Sequence, residues 1–169
     1  MAIRNFIIIA HRGESYDAPE NTLASVNLAW ERGADAVEVD IRMTKDKKIV
    51  VIHDSTTKRT GNKNYKIEEC LYNKLKNINI GFINGIKYKA ETIPLLTDVI
   101  KTIPEDKLLL IDIKDGIYLT KEFIESIKNA RVKIYTWTVN DPARAQILFN
   151  NGINGITTDR ANWLKGKLN

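Results

Sequence analysis

With 169 residues, 43% of them hydrophobic, the sequence suits one globular domain, residues 1–169, large enough to bury a single core. A lone cysteine, Cys70, excludes an internal disulfide framework and a thiolate zinc site and points to a reducing, cytoplasmic compartment. No apolar run approaches the roughly 20 residues that cross a bilayer, and the net charge of +5 is spread over lysines interleaved with Asn, Asp and Glu, which describes a solvated surface and not a nucleic-acid platform.

In chain order, the first strand-like run is Phe6–Ala10, too short for a signal-peptide core. Asn21 or Thr22 then caps a helix carrying Leu23, Val26 and Trp30 that stops at Gly33. Strand-like runs follow at Ala36–Met43 and Ile49–Ile52. Ile67, Leu71 and Leu75 recur every fourth residue, as in a helix, and Pro94 opens another helix that Pro104 ends. The next strand is Leu108–Ile113, and Phe123, Ile124 and Ile127 form an apolar helical stripe after Thr120. Val132–Val139 is a further strand. Asp141-Pro142 is an N-cap followed by proline at the first helical position, and that helix closes before Gly152. Gly155–Thr158 is the last strand. Most strand runs are continuously apolar and β-branched, the pattern of strands buried on both faces in a parallel sheet, and their alternation with helices predicts one α/β domain.

The polar residues are placed unevenly. His11, Glu38, Asp40, His53, Asp112, Lys114, Asn140 and Asp159 all lie at or just beyond the C-terminal ends of these runs. Catalytic groups of parallel α/β folds, and of β/α barrels above all, gather at that end. The only two histidines, His11 and His53, are among them, and imidazoles divide the labour of general acid and base near neutral pH. Glu38 and Asp40, at i and i+2 of one strand, share a face and with Asp112 form an all-carboxylate set suited to Mg²⁺ or Ca²⁺. Arg12 offers a planar fork for phosphate, and Lys114 adds a point charge on the face of Asp112. Together these suit phosphodiester cleavage. No nucleotide-binding glycine loop or Gly-x-Ser-x-Gly elbow is present, so the residues give no support to NTP hydrolysis or serine-esterase chemistry.

Ala10-His11-Arg12-Gly13, Pro19-Glu20-Asn21-Thr22, Val37-Glu38-Val39-Asp40-Ile41, His53-Asp54, Ile111-Asp112-Ile113-Lys114, Trp137-Thr138-Val139-Asn140 and Gly155-Ile156-Thr157-Thr158-Asp159 closely resemble, in this order, the blocks of the glycerophosphodiester phosphodiesterases. The resemblance implies a TIM-type (β/α) barrel that hydrolyses glycerophosphodiesters to glycerol 3-phosphate and an alcohol with one divalent cation, Mg²⁺ or Ca²⁺. It implies His11 and His53 as the acid–base pair, Arg12 and Lys114 at the phosphate, and Glu38, Asp40 and Asp112 at the metal. Glu20 would orient the first loop, with a dipole-favoured carboxylate in a helix first turn as the plainer role. Trp137 would pack against the glycerol, with core packing as the alternative.

Two departures from the family pattern stand out. The family usually has glutamate where this chain has Asp112, one methylene shorter. The chain is also short for an eight-stranded barrel of about 250 residues, so an incomplete barrel of about six parallel strands is expected, lacking two central βα units. Such a sheet either closes smaller or stays open between Leu108–Ile113 and Val132–Val139, and an open flank favours a homo-oligomer, a two-fold dimer above all. The contrasting functional expectation is a degenerate relative that binds phosphoesters without turning them over.

Overall fold

The computed structural model describes residues 7–81, 84–114, 121–128, 132–136 and 138–168. Six strands form one sheet: β1 (Ile9–His11), β2 (Ala36–Met43), β3 (Ile49–Val51), β4 (Leu108–Ile113), β5 (Val132–Thr136) and β6 (Gly155–Ile156). Five of them are parallel in the order β1-β2-β4-β5-β6. The expected α/β architecture and incomplete barrel are both present, and β6 does not pair with β1 among the described residues.

Two expectations about the sheet need correction. The run Ile49–Ile52 is not a parallel barrel strand. It turns back through Thr44–Lys48 and pairs antiparallel with the end of β2, Ile41 opposite Val51 and Met43 opposite Ile49. Only five residues separate the two strands, and a parallel return needs a crossover of a dozen or more. Among the described residues the sheet neither closes smaller nor opens between Leu108–Ile113 and Val132–Val139, because β4 and β5 pair directly, Leu109 with Val132 through Asp112 with Tyr135. The open edges are therefore β1 and β6. At β1, Ile7, Ile8 and Ile9 are 58%, 48% and 40% exposed, and on β5 the charged Lys133 stands exposed on the inner-facing side, where a closed barrel would be packed.

Helices cover the outer face. α1 (Leu23–Glu31) starts at Thr22, whose hydroxyl accepts from Ser25 N–H at 3.1 Å while Ser25 Oγ accepts from Thr22 N–H at 3.2 Å. The expected helix through Ile67, Leu71 and Leu75 is instead a 3₁₀ turn at Ile67–Glu69 and one helical turn, α2 (Tyr72–Leu75). Two tertiary bonds interrupt it: the Cys70 carbonyl accepts from Lys45 N–H at 3.0 Å, and Asp46 Oδ1 accepts from Tyr72 N–H at 3.0 Å. Pro94 lies just ahead of α3 (Leu96–Ile100), where its carbonyl accepts from Val51 N–H. α4 (Lys121–Lys128) buries Ile124 and Ile127 as expected. α5 (Pro142–Asn150) begins at Asp141, whose carboxylate accepts from Arg144 N–H at 2.9 Å, and α6 (Ala161–Lys165) follows β6.

The strand alternation sorts core from site. Val37, Val39 and Ile41 of β2 and Leu109, Ile111 and Ile113 of β4 point outward into the main core with α1, α3, α4 and α5. Glu38, Asp40 and Asp112 therefore point inward. A smaller core of Val50, Ile52, Ile67, Leu75, Ile78, Ile80 and Ile93 anchors the long excursion after β3 against the rest. None of the described helices is long and apolar enough to cross a membrane.

Candidate active site

The parallel register assembles the site. His11 lies opposite Glu38, and Asp40 lies opposite Asp112. Each of the three carboxylates offers an oxygen within 4.8 Å of the other two, and Glu38, Asp40 and Asp112 are only 5%, 1% and 1% exposed. Packing three carboxylates out of water is unfavourable unless cations answer them. Two do. Arg12 Nε lies 3.2 Å from Asp40 Oδ2, and Lys114 Nζ lies 3.0 Å from Asp40 Oδ1 and also bonds Asp112 Oδ2.

The carboxylates respond differently. Burial, reinforced by the negative charges of Asp40 and Asp112, pushes Glu38 up to about 7 although Arg12 N–H bonds it. Burial also raises Asp40, but bonds from Asn21 and Lys114 and the charges of Lys114 and Arg12 outweigh it and leave the carboxyl below its ordinary value. Asp112 is raised, chiefly by burial and also by Asp40, against the pull of Lys114. Asp112 Oδ1 is buried and accepts no hydrogen bond. A neutralising hard cation suits this set, because the oxygens converge, one of them is orphaned, and burial together with its like-charged neighbours raises one carboxyl. The short Asp112 side chain still reaches the cluster.

The loop after β1 brings Arg12 to this cluster. Arg12 adopts a left-handed backbone, φ +58°, followed by Gly13 at φ +77°. A Cβ at Gly13 would sit 2.5 Å from Ser25 Oγ, so only glycine allows the chain to lie against α1. The Arg12 carbonyl accepts from Asn21 N–H and Ser25 Oγ, both at 3.0 Å. Its N–H donates to Glu38 Oε2 at 3.0 Å, and Nη1 donates to Glu20 Oε1 at 3.0 Å. Glu20 thus orients the first loop through Arg12. His11 is exposed at the rim, its carbonyl held by Ser15 Oγ at 2.7 Å.

His53 follows β3 on the same side. Its carbonyl accepts from Arg42 Nε at 2.7 Å, and Ile52 N–H donates to the Asp40 carbonyl at 2.9 Å, tying the segment to β2. The imidazole Nδ1 lies 2.7 Å from Asp54 Oδ1. A hydrogen bond from Arg59, helped by that from His53, holds Asp54 down at about 2.

Three contributors escaped the sequence reading. Asn21, read there as one of two capping candidates, instead clamps Asp40, donating Nδ2–H to Oδ2 at 2.8 Å while its Oδ1 accepts from Asp40 N–H at 3.1 Å. Its φ of +58° is one that asparagine tolerates better than most residues, and asparagine's paired donor and acceptor were the available clue. Asp54 stood in plain view beside His53. Arg59 carried no signal, because its partners Glu20 and Asp54 are brought to it only by the fold. Asn140 and Asp159 bond each other at 2.8 Å at the ends of β5 and β6, and neither is in the carboxylate cluster. Trp137 lies outside the described residues.

An open parallel α/β sheet with buried carboxylates on β2 and β4, a histidine and an arginine at the end of β1, a lysine after β4 and a second histidine after the antiparallel β3 defines a candidate metal-assisted phosphoester site. The model of the Glycerophosphoryl diester phosphodiesterase family matches residues 11–121 and 112–162, and the chain belongs to that family. A glycerophosphodiester phosphodiesterase of Caldanaerobacter subterraneus subsp. tengcongensis is 40% identical over 127 residues, covering 72% of this chain and 52% of that protein. The chain spans about half the length of the curated relatives it matches. Among solved structures, a glycerophosphoryl diester phosphodiesterase from Parabacteroides distasonis superposes with a TM-score of 0.73 at 24% identity, covering 99% of this chain and 61% of that one. An Oleispira antarctica phosphodiesterase in complex with the product sn-glycerol-3-phosphate superposes with a TM-score of 0.60 at 24% identity, covering 96% of both chains. These two likenesses establish the fold.

Proposed function

We propose that the chain hydrolyses glycerophosphodiesters to glycerol 3-phosphate and an alcohol, acting as one domain over residues 1–169. The observation that carries this reading is the convergence of Glu38, Asp40 and Asp112 within 4.8 Å, with Arg12 and Lys114 against them. Family membership and the activity named for its relatives agree with it. Glu38, Asp40 and Asp112 would hold one Mg²⁺ or Ca²⁺, which when bound neutralises the cluster and polarises phosphoryl oxygens. Arg12 presents its guanidinium to the phosphate, and Lys114 supplies a second positive charge beside it. His11 and His53 move the protons: one imidazole removes a proton from the attacking oxygen and the other donates one to the leaving alcohol. Asp54, bonded to Nδ1, leaves His53 Nε2 as the atom that exchanges it. Trp137 packs against the glycerol.

Release of glycerol 3-phosphate from glycerophosphocholine and glycerophosphoethanolamine, with and without Mg²⁺ or Ca²⁺, tests the proposal. Turnover that requires the cation is the expected result. The second reading, a relative that binds phosphoesters without cleaving them, draws on the open sheet and the half-length match. Silence on both substrates at high protein concentration, with phosphate ligands still bound, would favour it.

A cytoplasmic setting fits the single, buried Cys70. Self-association as a homodimer is proposed through the β1 edge, where Ile7, Ile8 and Ile9 stand exposed. At roughly 25 cal/mol per Å² of apolar surface, covering a few hundred Å² there is worth several kcal/mol. Light scattering at micromolar concentration should give twice the chain mass, and a stable monomer would refute this assembly.

A further inference from the structure

The residues that hold the two proposed substrate-facing groups in place share one partner. Arg59 Nη1 and Nη2 donate to Glu20 Oε2 and Oε1 at 2.6 and 2.8 Å. On its other edge, Nε and Nη2 donate to Asp54 Oδ2 and Oδ1 at 2.8 and 3.2 Å. Glu20 in turn bonds Arg12, and Asp54 bonds His53. A single planar guanidinium therefore closes a chain of contacts that runs His53–Asp54–Arg59–Glu20–Arg12–Asp40.

We propose that Arg59 is a positioning residue that sets the His53 imidazole and the Arg12 guanidinium at the same time. The inference rests on the phosphodiesterase reading and adds a residue to it. Arg59 itself touches neither the carboxylate cluster nor, in this reading, the substrate.

Geometry separates this from an ordinary surface ion pair. Exposed pairs contribute little because two long side chains must be ordered for one contact in high dielectric. Arg59 is half-exposed, but each of its two carboxylate partners is already engaged by a site residue, so its bonds fix atoms that must be fixed. Its own backbone is braced. Thr57 N–H and Tyr65 carbonyl bond at 2.9 Å, Tyr65 N–H returns to Thr57 Oγ1 at 2.9 Å, and Gly61 N–H closes on the Thr57 carbonyl at 2.7 Å. The turn carrying Arg59 is thereby held against the segment that carries His53, with Ile67 N–H bonding the Ser55 carbonyl at 3.0 Å. Only a fork with donors on two edges can serve both carboxylates. Lysine keeps the charge and loses that shape.

The test uses the full chain and the variants Arg59→Ala and Arg59→Lys. For Arg59→Ala, kcat/KM on glycerophosphocholine should fall about 10²-fold, with kcat lowered and KM raised together because His53 and Arg12 loosen together. Arg59→Lys should remain nearer the alanine variant than the wild type, and ethylguanidine, but not ethylamine, should restore activity to Arg59→Ala. The readout independent of turnover is the ¹⁵N spectrum of the two imidazoles, with His53 assigned through His53→Ala. Wild type should show His53 fixed with its proton on Nδ1, and both Arg59 variants a mixture of tautomers. Wild-type kcat/KM in Arg59→Ala, or a His53 tautomer untouched by either substitution, overturns the proposal. If the wild type releases no glycerol 3-phosphate, the phosphodiesterase reading fails on its own, and the tautomer spectra still decide whether Arg59 positions His53.

Discussion

Glu38 makes the acidic cluster measurable without an activity assay. Burial and two neighbouring carboxylates raise it from 4.5 to about 7, so in the absence of a cation the native state favours its neutral form. Its contribution to stability is complete below pH 4.5, the value expected for the unfolded chain, and is lost as pH rises through about 7. A displacement of this size on a residue only 5% exposed corresponds to about 3 kcal/mol. Asp112 is raised as well, chiefly by burial, and adds to the same loss as pH rises. Asp40 and Asp54 are shifted the opposite way, so stability that depends on them is lost as pH falls, below this window. Urea denaturation of the wild type in chelator, from pH 4.5 to above 7, should therefore show a fall that Glu38→Gln reduces, Asp112 keeping the remainder while the glutamine oxygen still accepts from Arg12 N–H. Added Mg²⁺ or Ca²⁺ should restore the wild type at the upper end, by about 2.7 kcal/mol at a hundredfold excess over Kd, and should restore the variant less. Parallel stability curves for wild type and Glu38→Gln in chelator would refute the reasoning, because burial and the neighbouring carboxylates would then not be raising Glu38 in the folded chain.

Three further outcomes are expected. His11→Ala and His53→Ala should each lower turnover about 10²–10⁴-fold while leaving the circular dichroism spectrum intact, and near-normal turnover in both would remove them from proton transfer. Asp112→Glu should tighten Mg²⁺ or Ca²⁺ binding in calorimetry, because the longer side chain brings the orphaned Oδ1 function further into the cluster; weaker binding would show that the short side chain is no handicap. Asn21→Leu should cost about 1–3 kcal/mol in denaturant unfolding, since it leaves the Asp40 N–H buried without its acceptor, and an unchanged midpoint would mean that Asp40 finds another partner.

The parallel strands were legible because burial on both faces writes continuous β-branched runs, and Ala36–Met43 and Leu108–Ile113 fall at the residues expected. The direction of a strand is not written in its composition. Ile49–Val51 reads as one more parallel strand until its pairing with β2 is seen. The helix expected through Leu71 failed for a related reason, because the bonds that interrupt it come from Lys45 and Asp46, more than twenty residues away in sequence. At the site, the titratable residues His11, Glu38, Asp40, His53 and Asp112 could be picked from the strand-like runs and their ends. Asn21 and Arg59 act by holding other residues, and that role exists only once the loops after β1 and β3 meet.

The distribution of the site along the chain explains how a half-length match can keep a complete carboxylate cluster. His11 and Arg12 lie at β1, Glu38 and Asp40 on β2, His53 and Asp54 just after β3, and Asp112 and Lys114 at the end of β4. All belong to three adjacent parallel strands and the antiparallel segment paired to the middle one. β5 and β6 add no carboxylate to the cluster, although β5 flanks it through the pairing of Asp112 with Tyr135. The geometry that matters is set by the β1-β2 and β2-β4 registers, His11 against Glu38 and Asp40 against Asp112, and neither register depends on closing the sheet between β6 and β1. The open edge therefore exposes the isoleucines of β1 while leaving the carboxylate cluster assembled. The edge meets the site at β1 itself, because the strand that carries His11 and leads into Arg12 is also the edge strand, paired on one side only among the described residues.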